Sequence, residues 1–319
     1  MCSVQYDSRL IIYKVLAMRP AYLATLCTAL LLCCHVPFAQ ANDSSVGDDN
    51  GGLILTEQSQ IRMQREQLLL SETGVDVRYQ FINESAQDLT INMAFPMPAM
   101  YFGMSDHNSI RDFTLWVNDK VQQTQRRLVV LLDGRDIWPE LQQRGWDEPR
   151  LLTMMEEFAE SAEPPGLPAS WLDANGAPRF TLHEYFLWRQ HFPAGQPVRI
   201  RHHYVPSITT GVPQPGSVLI EEYAKLACLD QATRAGIARR EGEYGVGWSY
   251  LRYILTTANN WHGAIDEFYL IIKKQAASDL LSLCFAGELQ KRDALTFEYH
   301  ARHFQPAQDL GILFIRKAQ

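Results

Sequence analysis

The chain has 319 residues, 46% hydrophobic and 20% charged, enough for a large core and more than one packed unit. Its 29 basic residues stand against 36 acidic ones, a net charge of −7, which argues against nucleic acid or an anionic lipid surface as partner. No tract is low in complexity and no repeat of fixed period is present, so the chain reads as an ordinary globular one.

The first residues read as a targeting segment. Arg19 precedes an apolar run from Ala21 to Val36, and Ala39-Gln40-Ala41 follows as a small-x-small cleavage signature. The expectation is a signal peptide over 1–41, cleaved after Ala41, with Met18 as an alternative start to Met1. The apolar run is short for a membrane span, and no later segment is long and apolar enough, so no transmembrane span is expected after cleavage. The chain is then exported, to the periplasm or beyond it. Removing Arg9, Lys14, Arg19 and Asp7 leaves 26 basic and 35 acidic residues, a charge of −9. Cys2, Cys27, Cys33 and Cys34 leave with the leader. Only Cys228 and Cys284 remain, and an oxidising compartment makes them one disulfide. Neither sits in a CxxC or beside a histidine, which speaks against a redox or nucleophilic role.

Asn42 to Asn50 is a polar, acidic tether. LILT after Gly51-Gly52 is a first strand, and Ile61 to Ser71 reads as two short strands around Gln64-Arg65-Glu66. From Val75 to Pro98 the pattern has a period of two. Val75, Val77, Tyr79 and Phe81 point one way, and Asp76, Arg78 and Gln80 the other. Asn83-Glu84-Ser85 turns the chain, and Leu89, Ile91, Met93 and Phe95 repeat the alternation, which predicts an antiparallel hairpin. Phe113, Leu115 and Val117 alternate before a turn at Asn118-Asp119-Lys120, and Val121 to Leu132 returns. A helical insertion on this β scaffold is expected over 133–178: a short helix capped by Asp136, then Arg150 to Ala162 with Leu151, Met154, Met155 and Phe158 three and four apart. Phe180 to Phe192 and Val198 to Tyr204 predict a second long hairpin. Glu221 to about Arg240 reads as one long helix, and five strands follow, from Tyr250–Thr257 to Leu310–Ile315.

The predicted fold is therefore mainly β: two antiparallel sandwich-like units with a helical insertion and one long helix, α+β overall. An N-terminal sandwich-like unit spans 42–216, and the helix with a C-terminal β unit spans 217–319. GGLILTEQSQIRMQREQLLLS, VRYQFIN and AFPMP, with FPAGQPVRIRHHYVPS, YILTTANNWHGAIDEFYLIIKK and HFQPAQDLGILFI further on, resemble a bacterial secreted family defined only as domain of unknown function 4424. The resemblance covers nearly the whole mature chain. It implies an exported protein of this length and carries no activity or catalytic residues.

The chain contains no GxSxG elbow, HExxH, phosphate loop, GxGxxG before a helix, or EF-hand loop. Histidine offers a first lead. His183 and His191 share a strand face, yet stand about 26 Å apart at a typical strand rise, too far for one metal. His191 and His203 flank the same turn, among Arg189, Arg199 and Arg201, where a cation is opposed. His300 and His303 span a strand end. His107 beside Asp106 is a candidate acid/base pair in the 100–109 loop. Carboxylates are a second lead: Glu66, Glu221, Glu222, Asp266 and Glu267 could include a glycosidase pair. Tryptophans are the third. Trp146 and Trp171 sit in or near the insertion, and Trp261 lies in the turn Asn259-Asn260-Trp261-His262-Gly263, so Trp146, Trp171, Trp261, Asn260 and His262 are candidate binding residues. The functional expectation is a non-catalytic envelope protein that binds a protein, peptide or glycan, with no metal and no cofactor. The alternatives are an envelope-polymer hydrolase, using paired carboxylates or His107 and Asp106, and a structural assembly protein.

Overall fold

Val75, Val77, Tyr79 and Phe81 are at most 2% exposed, as their alternation requires. A computed structural model describes residues 44–49, 52–97, 99–102, 110–156 and 166–318, and the signal peptide and its cleavage site lie outside them. In chain order, β1 (Ser44–Asp49), β2 (Gly52–Thr56), β3 (Ile61–Ser71), β4 (Gly74–Asn83) and β5 (Leu89–Pro96) come first. They are followed by β6 (Arg111–Val117), β7 (Lys120–Gln122), β8 (Gln125–Leu132) and β9 (Arg135–Asp136). The insertion holds α1 (Trp138–Gln143) and α2 (Glu148–Glu156). Next come β10 (Thr181–Phe192), β11 (Pro197–Val205) and β12 (Thr209–Thr210), then α3 (Gly216–Tyr223) and α4 (Gln231–Ala238). The remaining strands are β13 (Val246–Tyr253), β14 (Ile265–Lys273), β15 (Leu280–Leu283), β16 (Gln290–Lys291), β17 (Thr296–Phe304) and β18 (Leu310–Lys317). The fold is mainly β with short helices, α+β overall.

Three sheets form. The largest has eight strands in the order β16-β17-β14-β3-β4-β11-β6-β7. A six-stranded sheet runs β2-β1-β5-β10-β8-β9, and a four-stranded sheet runs β12-β13-β18-β15. Among the described strands the pairings are antiparallel except β14 on β3, and Gln58 with Trp261 and Asn83 with Ala194 add isolated parallel bridges. One core cluster draws on all three sheets: Leu68, Phe81 and Leu270 from the first, Phe95 and Trp188 from the second, Ile312 and Phe314 from the third. Strands β14 and β17, far along the chain, thus enlarge the sheet begun by β3 and β4. The described residues belong to one compact unit, 39–319.

Neither predicted hairpin around these strands is a hairpin. β4 pairs with β11, and β5 pairs with β10 in another sheet. The turns after Asn83 and after Phe192 are arches that carry the chain from one sheet to the other. The physical reason lies in the apolar faces. A hairpin sets both apolar faces on the same side of one sheet, where they still need a cover. An arch turns one face onto the other: Phe81 meets Phe192 at 6.0 Å and Phe95 meets Tyr204 at 5.4 Å between ring centroids. The two arches are fastened together. Buried Asn83 donates from Nδ2 to the carbonyls of Gln87 (2.8 Å) and Phe192 (2.9 Å), and its Oδ1 accepts from the Ser85 amide and hydroxyl. Gly195 N–H donates to the Asn83 carbonyl, and Ala194 N–H to Asp88.

Other local features follow the sequence more closely. Asn118 and Asp119 both take positive φ (47° and 66°), the two-residue turn that suits a twisted hairpin between β6 and β7. The two short strands expected around Gln64-Arg65-Glu66 are one strand, β3, with its register shifted between Met63 and Arg65. That bulge keeps Ile61 and Met63 inward with Leu68 and Leu70, and it turns Glu66 into the core as well. The single helix expected from Glu221 to Arg240 is two, because Asp230 caps a new start by accepting from the Thr233 amide at 2.6 Å. Just before it, Cys228 has φ +49° and bonds Cys284, 56 positions further along the chain, across a Cα–Cα distance of 4.9 Å. Loop closure of that length stabilises by about 4 kcal/mol in the chain-entropy model.

Asn83→Ala should lower unfolding free energy by about 3 kcal/mol, because the Phe192 carbonyl is left buried without its donor. Ser85→Ala, at a half-buried position of the same turn, should cost less than about 1 kcal/mol. Urea denaturation followed by tryptophan fluorescence measures both, and equal small losses would contradict the fastening role.

Candidate binding face

The alternation that buries one face of the eight-stranded sheet delivers its other face to solvent. Three cross-strand rows occupy that face. The middle row takes one residue from each of six neighbouring strands: His300, Tyr269, Gln67, Arg78, Arg201 and Trp116. It holds no acidic residue and spans about 24 Å at a typical strand spacing. One flanking row is Arg302, Glu267, Arg65, Gln80, Arg199, and the other is Glu298, Ile271, Leu69, Asp76, His203, Thr114.

The cations here are held in place by rings and carboxylates. Arg201 donates Nε and Nη2 to Asp76 Oδ2 at 2.8 and 2.6 Å, and Arg78 donates Nε to Asp76 Oδ1 at 2.9 Å. The Arg201 guanidinium also lies 4.7 Å from the Trp116 ring centre. Tyr269 is flanked on its two sides. His300 stacks on it at 4.2 Å, and Arg65, held by Glu267 at 2.9 Å, reaches over it at 5.0 Å. At one end of the face Arg62 bridges Glu84 and Asp266, and His262 Nδ1 lies 2.9 Å from Glu84 Oε2. The bonds from His262 and Arg62 hold Glu84 below the usual carboxylate range. Burial opposes charge on Glu267, but the bond and charge of Arg65 outweigh it and lower its pKa.

The residues singled out from sequence fall in several places. Trp146, Trp171 and Trp261 are 4%, 6% and 3% exposed. Trp146 and Trp171 belong to the insertion's own core with Leu141, Leu151, Met155 and Phe180, and arginines cover them, Arg150 at 3.9 Å and Arg144 at 5.4 Å. Trp261 packs on Phe81 at 4.7 Å, and the main chain around it is tied down: Gln58 N–H donates to Asn260 O and His262 N–H to Ile61 O. Rings so covered have no free face for stacking on a ligand, so these tryptophans anchor the insertion and the turn. His262 is exposed and joins the end of the open face, with Asn260 partly exposed next to it. His107, Asp106 and Phe158 lie outside the described residues.

The carboxylates do not converge. Glu66 is in the core, Glu221 and Glu222 are exposed on α3, and Asp266 and Glu267 are paired with arginines. His191 and His203 do not pair, since β10 and β11 lie in different sheets. His202 is fully buried in a box of rings from Tyr79, Phe95, Phe113 and Trp188, at 5.1 to 5.7 Å. A small pocket lined by Val75, Tyr204, Arg252 and Tyr253 has a volume of about 20 Å³, room for a water. Among the described residues no group of three or more His, Cys, Asp or Glu could hold a metal ion, and no helix is long and apolar enough to cross a membrane. Sequence reasoning missed Trp116 and Tyr269. Each is an aromatic ring in the polar phase of its strand, one residue from the apolar Leu115 and Phe268, and that displacement is the signal that could have found them.

A family model described as domain of unknown function (DUF4424) matches residues 41–313. The chain belongs to this family. Among solved structures, it is similar to a protein of Legionella pneumophila described provisionally as nutrient-binding: 19% identity, 86% of this chain and 72% of that one, TM-score 0.46. An M1 zinc metallopeptidase of Deinococcus radiodurans is also similar, at 13% identity, 82% of this chain, 43% of that chain and TM-score 0.26. Yeast LTA4 hydrolase aligns at 6% identity over 82% of this chain and 31% of its own, TM-score 0.31. The chain thus spans less than half the length of the two hydrolytic enzymes. No curated protein matches the sequence.

Burial lowers the pKa of His183, whose ring bonds Thr181, from 6.5 to about 4. A histidine neutral when folded binds fewer protons than in the unfolded chain. Its contribution is therefore complete above pH 6.5 and lost as the pH falls from 6.5 to about 4. His183→Gln should spare the protein about 2 kcal/mol of the loss between pH 7 and pH 4.5, read as a flatter pH dependence of the urea midpoint. Parallel curves for the two proteins would contradict this.

Proposed function

We propose that this family member is an exported, non-catalytic envelope protein that takes a protein, peptide or glycan partner flat across the open face of its eight-stranded sheet. The observation that carries this reading is the middle row. Its arginines are fixed by Asp76 and Trp116, and its rings stand on the solvent side of their strands, where burial gives no reason for them. Side chains already held in one geometry lose less rotamer entropy when a partner docks. The face runs across six strands, which suits a partner that lies along it rather than a small molecule enclosed in a cleft.

The disulfide suits an exported chain, and the periplasm is the compartment this reading favours. Glu84 and Glu267 are held charged by their partners, the opposite of the raised pKa that a general acid needs. Assembly through strand edges is disfavoured at four of the six edges among the described strands, where β7, β9, β12 and β16 are two or three residues long; the other two, β2 and β15, have five and four.

Capture from envelope extract on the immobilised mature chain, Asn42 to Gln319, tests the proposal when run beside an R65E/Y269A/R302E variant. A saturable partner held by the wild type and lost from the variant is expected. A partner retained by the variant, or none at all on the folded, disulfide-bonded wild type, would contradict it.

A further inference from the structure

Within the middle row, Arg78 and Arg201 stand opposite each other on β4 and β11, with Asp76 set lower between them. The Asp76 side chain is 18% exposed, against 56% for Arg78 and 43% for Arg201. One carboxylate thus serves two guanidinium groups, and a full positive charge is left over. The bonds to Asp76 use Nε of Arg78, and Nε with Nη2 of Arg201. Both Nη atoms of Arg78 and Nη1 of Arg201 take no part in these bonds and remain as donors. Trp116 supports Arg201 from the far side, so that guanidinium is gripped by a carboxylate at one edge and a ring across its face. Gln67 stands beside Arg78 on β3 and His203 beside Asp76 on β11, its Nδ1 3.9 Å from Asp76 Oδ2, which adds polar groups to the rim.

We infer that Arg78 and Arg201 form an anion site at the centre of the open face, and that the partner bound there presents an oxyanion, a carboxylate or a phosphate, to their Nη donors. A fork of two N–H groups matches two oxygens of such a group, and a guanidinium keeps its charge at any ordinary pH. The rings of Trp116 and Tyr269 are already stacked against Arg201, His300 and Arg65, so the row presents charge to its partner more than bare aromatic faces for uncharged sugar. This inference rests on the open face being the binding face and names the chemistry at its centre.

Titration calorimetry on the mature, disulfide-bonded chain at low salt tests it with three probes: a galacturonate hexamer for carboxylate, a short polyphosphate for phosphate, and an uncharged maltohexaose. At least one anionic probe should bind, weaken with added salt, and outcompete the neutral sugar. R78Q/R201Q should lower its affinity by about tenfold or more, whereas R239Q, at an exposed arginine just past α4 and outside the three rows, should stay within about twofold. Asp76→Asn separates a built site from a diffuse positive patch. It adds net positive charge, so a diffuse patch binds more tightly, and a site oriented by Asp76 binds more weakly. Should the double variant not fold, Arg78→Lys carries the test, since it keeps the charge and loses the fork, and about fivefold weaker binding is expected. No binding of either anion, or binding unchanged by these substitutions, would overturn the anion site. If the extract still yields a partner that the R65E/Y269A/R302E variant loses, the open face stands and only the anion chemistry falls.

Discussion

Asn83 fastens two crossings of the chain at one corner of the molecule. Each arch carries the polypeptide from the eight-stranded sheet to the six-stranded one or back, and Asn83 reaches a main-chain carbonyl in each. One amide side chain answers both turns: its nitrogen serves Gln87 and Phe192, and its oxygen serves Ser85. With the corner closed, β4 is set beside β11 and β5 beside β10, and the apolar faces of the two pairs close on each other. The same registration places Arg78 opposite Arg201 on the outside. Core and open face are thus two sides of one constraint.

The interior built this way is not purely apolar. Glu66 and His202 are both fully buried, His202 within a box of four rings. Tyr79 and Tyr253 bring their hydroxyls to 3.3 Å, linking the eight-stranded sheet to the four-stranded one. Glu72, in the turn after β3, accepts from Arg316 and Ser249 of that smaller sheet. Polar contacts of this kind are directional, and they fix how the sheets lie on each other where hydrophobic contact alone tolerates sliding. A face of preorganised side chains needs that rigidity beneath it, since a shift of one sheet would alter the spacing of the residues above.

Much of this was legible in the sequence. The period of two gave Val75, Val77, Tyr79 and Phe81 as the buried side of β4, and cysteine arithmetic gave the Cys228–Cys284 bond. The partnering of strands was not legible. A hairpin and an arch share the same local signal, two alternating runs joined by a short polar turn, and only the distant strands that come to lie beside each run decide between them. The bulge in β3 was hidden for a related reason: an extra residue reads as a break in the alternation until a partner strand supplies the register. Tryptophans drew attention as a residue type, although Trp146, Trp171 and Trp261 are buried. The open face was instead marked by phase, through Trp116 and Tyr269 standing where their strands are otherwise polar. The break between α3 and α4 had its own mark in Asp230 followed by Thr233, a cap inside what looked like one helix.

The most direct measurement is hydroxyl-radical footprinting of the mature chain, alone and saturated with envelope extract. Oxidation should fall at Trp116, Tyr269, His203 and His300 on the open face, while Val212 and Tyr244, both well exposed away from it, keep their rates. Protection at Val212 and Tyr244 with the open face unchanged would contradict the account and move the partner to another surface.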